Sequence, residues 1–410
     1  MAGMLDLSFV RSHFPALSGD WVYFDNAGGS QTLRGVADRV RDYLLTTDVQ
    51  LGASYAVSEE AGRRVAEATR AVARSINAGD EHEVVIGPST SQLLANLALA
   101  MRPQLAEGDE VVVTNCDHEA NIGPWARLAD MGVSVKTWKV DPVTLELRLE
   151  DLEPLMSART RLVAFTHASN ILGAVNPVAD IARFVHERGA RVCVDAVSYA
   201  PHRAVDVRAW DVDYYVFSSY KVYGPHLAVL YGKRELLEEL ATVNHYFVPR
   251  EDVPRKLQPG SVNYELTYGL LGVTEYLEAL AERHADEPAG DLHGRVRQAF
   301  EVMAGQEQVL AERFMGYLRE KRGVRIYGRD RAGAGRVPTI SFTAQGHDPA
   351  DIATFVDGAN IGIRYGDFYA RRLIESLGLA GTGGVVRVSM VHYNTPEEVD
   401  ALIARLDELL

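Results

Sequence analysis

The chain of 410 residues carries 42 basic and 56 acidic residues, a net charge of −14, and is 47% apolar, 24% charged and 8% aromatic. That balance excludes a predominantly disordered chain, and the acidity argues against nucleic acid or an anionic membrane as partner, because those surfaces need clustered Lys and Arg. At about 150 residues per domain the length suggests two or three domains, or a larger α/β core.

Residues 1–17 have neither the long apolar stretch nor the cleavage pattern of a signal peptide, and no apolar run reaches the ~18 residues of a spanning helix. The two cysteines, Cys116 and Cys193, cannot form a disulfide framework and fit a reducing cytoplasm, the expected location. Small hydroxyl residues open a helix at 92–101. Apolar strands follow at 110–114, 135–140 and 161–166, then a helix at 177–188 stopped by Gly189, then strands at 191–194, 214–217 and 227–231. This alternation predicts a mostly parallel, doubly wound sheet with ligands at the C-terminal strand ends. Beyond about residue 290 the pattern changes to a long helix at 296–321, a strand at 337–342, a helix from Pro349 and a strand at 385–391. A large domain over 20–290 and a smaller α+β domain over 291–410 are therefore expected, with residues 1–19 as candidates to pack on the second. The last helix starts with Thr395 as N-cap, Pro396 at the first helical position and Glu398 completing a capping box.

Four segments carry candidate chemistry. The strand Val192-Cys193-Val194 ends in Asp195, and the strand Tyr214-Tyr215-Val216-Phe217 runs into Ser218-Ser219-Tyr220-Lys221. A carboxylate and an amine at strand exits of one sheet can hold pyridoxal phosphate, the lysine by a Schiff base and the acid by keeping the pyridine nitrogen protonated. Taken singly, such a lysine is commonly a solvated surface residue and such an aspartate a helix cap. The segment Gly87-Pro88-Ser89-Thr90-Ser91-Gln92 places free N–H groups at a helix start, which suits a phosphate and equally suits a plain N-cap. His118, after the strand at 110–114, is positioned to stack on a bound aromatic ring or to serve in proton transfer. There is no Gly-x-Gly-x-x-Gly after a strand, no His-Glu-x-x-His, no paired Cys-x-x-Cys and no Walker sequence, so neither a nucleotide nor a metal site is indicated.

The runs Thr166 to Gly173, Val194 to His202 and Ser218 to His226, with Phe24-Asp25-Asn26-Ala27-Gly28 at one end and Val391-His392-Tyr393-Asn394-Thr395 at the other, resemble the class V aminotransferase and cysteine desulfurase superfamily. These are fold type I pyridoxal phosphate enzymes, and the resemblance spans nearly the whole chain. It implies that Lys221 bonds the cofactor, Asp195 pairs with the pyridine nitrogen, His118 stacks on the ring and Asn170 binds the ring hydroxyl. It further implies that Thr90, Ser91 and Ser218 hold the phosphate, with Ser261 reaching the phosphate of the other subunit in a homodimer with composite sites. Ser198 lies where relatives place a cofactor-touching Gln or His. Arg387 matches the family's arginine for the substrate carboxylate, and Arg364 a second arginine near the substrate, so a small amino acid is the expected substrate.

Two positions depart from the desulfurases. Five residues beyond Arg364, where they carry a nucleophilic cysteine, this chain has Tyr369, which cannot carry a persulfide. Tyr220 precedes the lysine where desulfurases often have His. The resemblance is therefore to the desulfurase-like branch that includes lyases and tailoring enzymes of specialised metabolism. The leading expectation is a β-eliminating C–S lyase on an S-substituted cysteine, with Lys221 as base and Tyr369 or Tyr220 positioning the leaving group. The alternatives are decarboxylation-coupled oxidative deamination, transamination, epimerisation and, from another class, a non-catalytic binding protein. Tyr55, Tyr246, Phe247, Phe368 and Tyr369 are candidates for lining an entrance.

Overall fold

A computed structural model describes residues 5–410. Residues 1–4 of the N-terminal segment expected to pack on the second domain lie outside the described residues.

Among the described residues, thirteen strands form three sheets: β1 (Val22–Tyr23), β2 (Val84–Gly87), β3 (Glu110–Thr114), β4 (Ser134–Trp138), β5 (Thr160–Thr166), β6 (Arg191–Asp195), β7 (Tyr214–Ser218), β8 (Ala228–Gly232), β9 (Val324–Tyr327), β10 (Thr339–Ala344), β11 (Ile361–Gly362), β12 (Arg364–Gly366) and β13 (Val385–Ser389). The large sheet has seven strands in the order β2-β8-β7-β6-β5-β3-β4. Strand β8 runs antiparallel to both its neighbours and every other pairing is parallel. The mostly parallel sheet expected from the alternation is present, with β2 as an additional edge strand.

Both faces of this sheet are covered, which is why its strands read as unbroken apolar runs rather than as an alternation. Successive side chains still divide between the faces: Val112, Val163, Val192 and Val194 join one core, and Val111, Val113, Leu162 and Cys193 the other. Helix Val178–His186 packs Ile181, Ala182 and Val185 into the first of these cores, and Gly189, at φ +76°, lets the chain turn into β6.

Strands β12-β13-β10-β9 form an antiparallel sheet, and β1 pairs with β11. Helix Leu292–Glu320 lays Val296, Phe300 and Met303 in the first core of the large sheet and Leu310, Phe314 and Leu318 in a third core beneath the small one. It starts one turn earlier than the periodicity predicts, because Asp291 caps it. The capping box at Thr395 and Glu398 opens helix Pro396–Asp407 as expected. In the N-terminal segment, Val10 and Phe14 enter the first core, and Arg11 reaches the Tyr393 carbonyl and Glu398.

Candidate active site

In the large sheet β4 lies on one side of β3 and β5 on the other, so the chain reverses its direction of progress between β3 and β5. The crevice outside the C-terminal ends of such strands is where open α/β sheets bind ligands. Residues leaving β2, β3, β5, β6 and β7 converge there around about 420 Å³ of space, its mouth included, lined by Thr90, His118, Ala120, Thr166, Asn170, Asp195, Val197, Ser198, Tyr220 and Lys221.

Each side chain is held by local structure. After β7 the chain makes a 3-10 turn, Ser219–Lys221, and the Ser219 hydroxyl donates to the carbonyls of Pro225 and Leu227, which folds the loop back and brings Lys221 into the crevice. Burial, then the nearby Arg387 cation, lower the Lys221 amine to about 8 against the opposing pull of Asp195 and Asp25. Asp195 is buried at the end of β6, accepts from the Val197 N–H at 2.9 Å, and is raised to about 6 by its burial. His118 caps a short 3-10 turn, its Nδ1 accepting from the Ala120 N–H at 3.0 Å, which leaves the proton of the neutral ring on Nε2. Burial, followed by Lys221, lowers this imidazole to about 4.

The Thr90 and Ser218 hydroxyls meet at 2.7 Å, joining the start of helix Thr90–Met101 to the end of β7. Ser89, not Thr90, is the N-cap. Ser198 is a buried hydroxyl on the cavity wall. Ser91 is exposed and off this wall, and Ser261 lies on an exposed segment lining a separate cleft with Gly87, Gln92 and His226.

Arg387 is buried on β13 behind Asn170. Its Nη1 donates to the Asn170 carbonyl at 3.2 Å, its Nη2 to Asp25 at 3.1 Å, and the Phe368 ring covers its guanidinium at 3.7 Å. Its Nε is buried without a partner. Arg364 is largely exposed and pairs with the other Asp25 oxygen at 3.3 Å. The Asn170 amide donates to the Phe368 carbonyl at 2.9 Å and the Glu119 N–H to the Tyr369 carbonyl at 2.8 Å, so one residue of the site wall and the neighbour of His118 fasten the loop carrying both aromatics. Phe368 and Tyr369 adopt left-handed backbone at φ +50° and +59°. The Tyr369 ring is 72% exposed and lies 5.1 Å from that of His118, at the mouth rather than on the cavity wall. Tyr220 does line the cavity and stacks on His226 at 4.9 Å. Tyr55, Tyr246 and Phe247 are exposed and line no part of it.

Asp117 is a participant that sequence reasoning missed. Fully buried beside His118, it accepts from the Thr114 hydroxyl, from Asn121 at 2.6 Å and from the Thr166 N–H at 3.0 Å, so it ties the exit of β3 to the end of β5. Burial, with Asp195 adding to it, raises this carboxyl to about 7. The spacing Thr114, Asp117, Asn121 within one loop was the available signal.

An amine, a carboxylic acid, a neutral imidazole and a hydroxyl pair at the start of a 12-residue helix are the donor set that pyridoxal phosphate requires, and the residues present fit it. Residues 22–402 match the family described as aminotransferase class-V. The chain is 42% identical to the aminotransferase-like protein FGM3 of Gibberella zeae over 98% of each, and 34% identical to the cysteine desulfurase-like protein ustD of Aspergillus flavus over 100% of this chain and 92% of that one. The apo structure of a cysteine desulfurase from Thermococcus onnurineus superposes with a TM-score of 0.87 at 27% identity, covering 100% of this chain and 99% of that one. The chain therefore belongs to the class V aminotransferase family of fold type I enzymes, whose cofactor is pyridoxal 5'-phosphate.

Proposed function

We propose that the protein is a lyase that expels the thiol from an S-substituted cysteine and does not form a persulfide. The observation carrying this reading is the occupant of the mouth. Tyr369 stands over His118, while both cysteines are buried in the cores with their thiols raised by burial, so no thiolate is available to receive sulfur.

On this reading Lys221 bonds the cofactor, Asp195 holds a proton at its ring nitrogen, His118 flanks the ring and Asn170 faces its hydroxyl. Thr90, Ser218 and the first-turn N–H groups through Ser91 receive the phosphate. Ser261 lines no part of its own chain's cavity, and a homodimer in which it completes the partner's site gives it a role. The bound cofactor supplies an electron sink for a carbanion at the substrate α-carbon. Arg387 binds the substrate carboxylate, and the Lys221 Nζ, lowered by its burial until about half of it is neutral near pH 8, takes the α-proton. The electron pair left on Cα forms the Cα–Cβ double bond as the Cβ–S bond breaks, and the thiolate leaves. Tyr369 or Tyr220 positions it, and water converts the remaining three-carbon fragment to pyruvate and ammonia.

One observation favours a second reading. Arg387 is already partnered by Asp25 and covered by the Phe368 ring, an environment that holds a carboxylate less firmly and favours its loss as carbon dioxide. Both readings are tested by incubating the holoenzyme with a series of S-alkyl cysteines and assaying pyruvate, carbon dioxide and hydrogen peroxide beside a Lys221→Ala control. Pyruvate matched by thiol supports the lyase. Carbon dioxide or peroxide without pyruvate supports decarboxylation, and a requirement for an added keto acid supports an aminotransferase.

A further inference from the structure

Arg364 and Arg387 are register partners directly opposite each other on β12 and β13, a like-charge cross-strand pair that is unfavourable by itself. Asp25 lies between them. It follows β1, forms a bridge with Ser389 at the end of β13, and gives one carboxylate oxygen to each arginine, at 3.1 Å to Arg387 and 3.3 Å to Arg364. Gly28 accommodates this carboxylate: a Cβ there would lie 2.8 Å from the Asp25 oxygen that faces Arg364. The three groups grade from the interior to solvent, with side chains 3% exposed at Arg387, 32% at Asp25 and 58% at Arg364. Two carboxylates at the loop after β12 are already taken, Asp367 by Arg371 at 3.5 Å and Glu119, whose N–H holds the Tyr369 carbonyl, by Arg372 at 3.1 Å through both of its oxygens. The cluster therefore presents two positive charges and one negative, with the buried Arg387 Nε as a donor without a partner.

We infer that Asp25 is a specificity-determining residue that leaves the arginine pair one uncompensated charge, so that the site accepts a single carboxylate and disfavours a ligand bearing a second acidic group. The inference rests on the reading of Arg387 as the carboxylate-binding residue. A monocarboxylate neutralises the cluster, whereas a second acidic group meets Asp25 at the solvent side, where Arg364 is already paired.

The test is calorimetric titration of the holoenzyme with propionate and with succinate at low ionic strength, in the wild type, Asp25→Asn, Arg364→Gln and the double variant, with Arg387→Gln as control. Removing the Asp25 charge is expected to raise the ratio of succinate to propionate affinity by about tenfold, and the effect should shrink with added salt. Arg364→Gln, a change at an exposed side chain that the fold tolerates, should lower the ratio, and the double variant should return it to the wild-type value. An unchanged ratio in both single variants, with propionate binding lost in Arg387→Gln, overturns the role of Asp25 and leaves the carboxylate site standing. Propionate binding that survives in Arg387→Gln overturns the reading of Arg387 and this inference with it.

Discussion

Burial and the neighbouring Arg387 move the Lys221 amine from the ordinary value of 10.5 to about 8, while Asp195 and Asp25 pull it back. The folded chain thus binds fewer protons at this group than the unfolded chain between about pH 8 and 10.5, so this lysine costs stability below pH 8 and the cost fades as pH rises through 10.5. What is gained is an unprotonated amine near neutrality, the form that attacks an aldehyde. Uptake of pyridoxal phosphate by the apoenzyme should therefore rise with pH through a midpoint near 8 and level off about one unit higher, and Arg387→Ala should move that midpoint upward. A wild-type rate still climbing at pH 10 would mean that the amine is an ordinary one. Lys221, Asp195 and His118 were legible because each stands at a strand exit, where the sheet direction alone assigns them to one edge. Asp25 was legible only as part of a motif, because its partner Arg387 is 362 positions away and nothing local announces the pairing. Ser91 matches the motif and yet is exposed, because Ser89 takes the cap and turns Thr90, not Ser91, toward Ser218.

At the scale of elements, the loop after β5 connects the site to the small sheet. Within it Gly173 is at φ +65°, its carbonyl accepts from the Val337 N–H at 2.9 Å, and the Ile171 carbonyl accepts from the Ser341 hydroxyl on β10 at 2.7 Å. A Cβ on Gly173 would fall 2.5 Å from the Thr339 carbonyl oxygen and 3.1 Å from that of Val337, both backbone atoms unable to yield cheaply. Gly189 has a similar φ of +76° and open space around it. Replacing each by alanine separates strain from clash: Gly189→Ala should cost about 1 kcal/mol and Gly173→Ala about 3 kcal/mol or more, read from urea midpoints. Gly173→Ala should also impair activity, since Asn170 lies three residues before it; equal costs at the two positions would count against the close approach. The same scale explains what patterning missed. Strand β2 is a four-residue apolar run ending at Gly87-Pro88, too short for period to separate strand from helix, and only its pairing with β8 makes it one. The interior strands of the sheet were readable because burial on both faces makes them continuously apolar, and their predicted ends differ from the observed ones by one or two residues, where pairing and not hydropathy decides.

Across the whole molecule, helix Leu292–Glu320 is shared between the cores of the two larger sheets, and Glu307, fully buried, sits between the stretches of the helix that enter them. Its oxygens meet His202 Nδ1 at 3.0 Å and Arg203 Nη1 at 3.1 Å, tying the helix to the segment that follows β6 and Asp195. Sequence alone showed a change of pattern near residue 290 and could not show that one helix crosses it, because a continuous amphipathic stripe reads the same whether it faces one core or two. Glu307→Ala would leave the half-buried Arg203 guanidinium and the buried His202 ring without their shared carboxylate, a loss of about 1.5–3 kcal/mol. Two probes report on different parts. Of the four tryptophans, Trp125, Trp138 and the half-buried Trp210 lie in or against the two cores of the large sheet and Trp21 is exposed, so the change in fluorescence on unfolding follows mainly that sheet, while circular dichroism follows the helices of the entire chain. If the shared helix makes the molecule one cooperative unit, the two transitions coincide in the wild type and move down together in Glu307→Ala. A variant whose fluorescence transition shifts while a later dichroism transition stays in place would instead show that the small sheet and its core hold together without the large one.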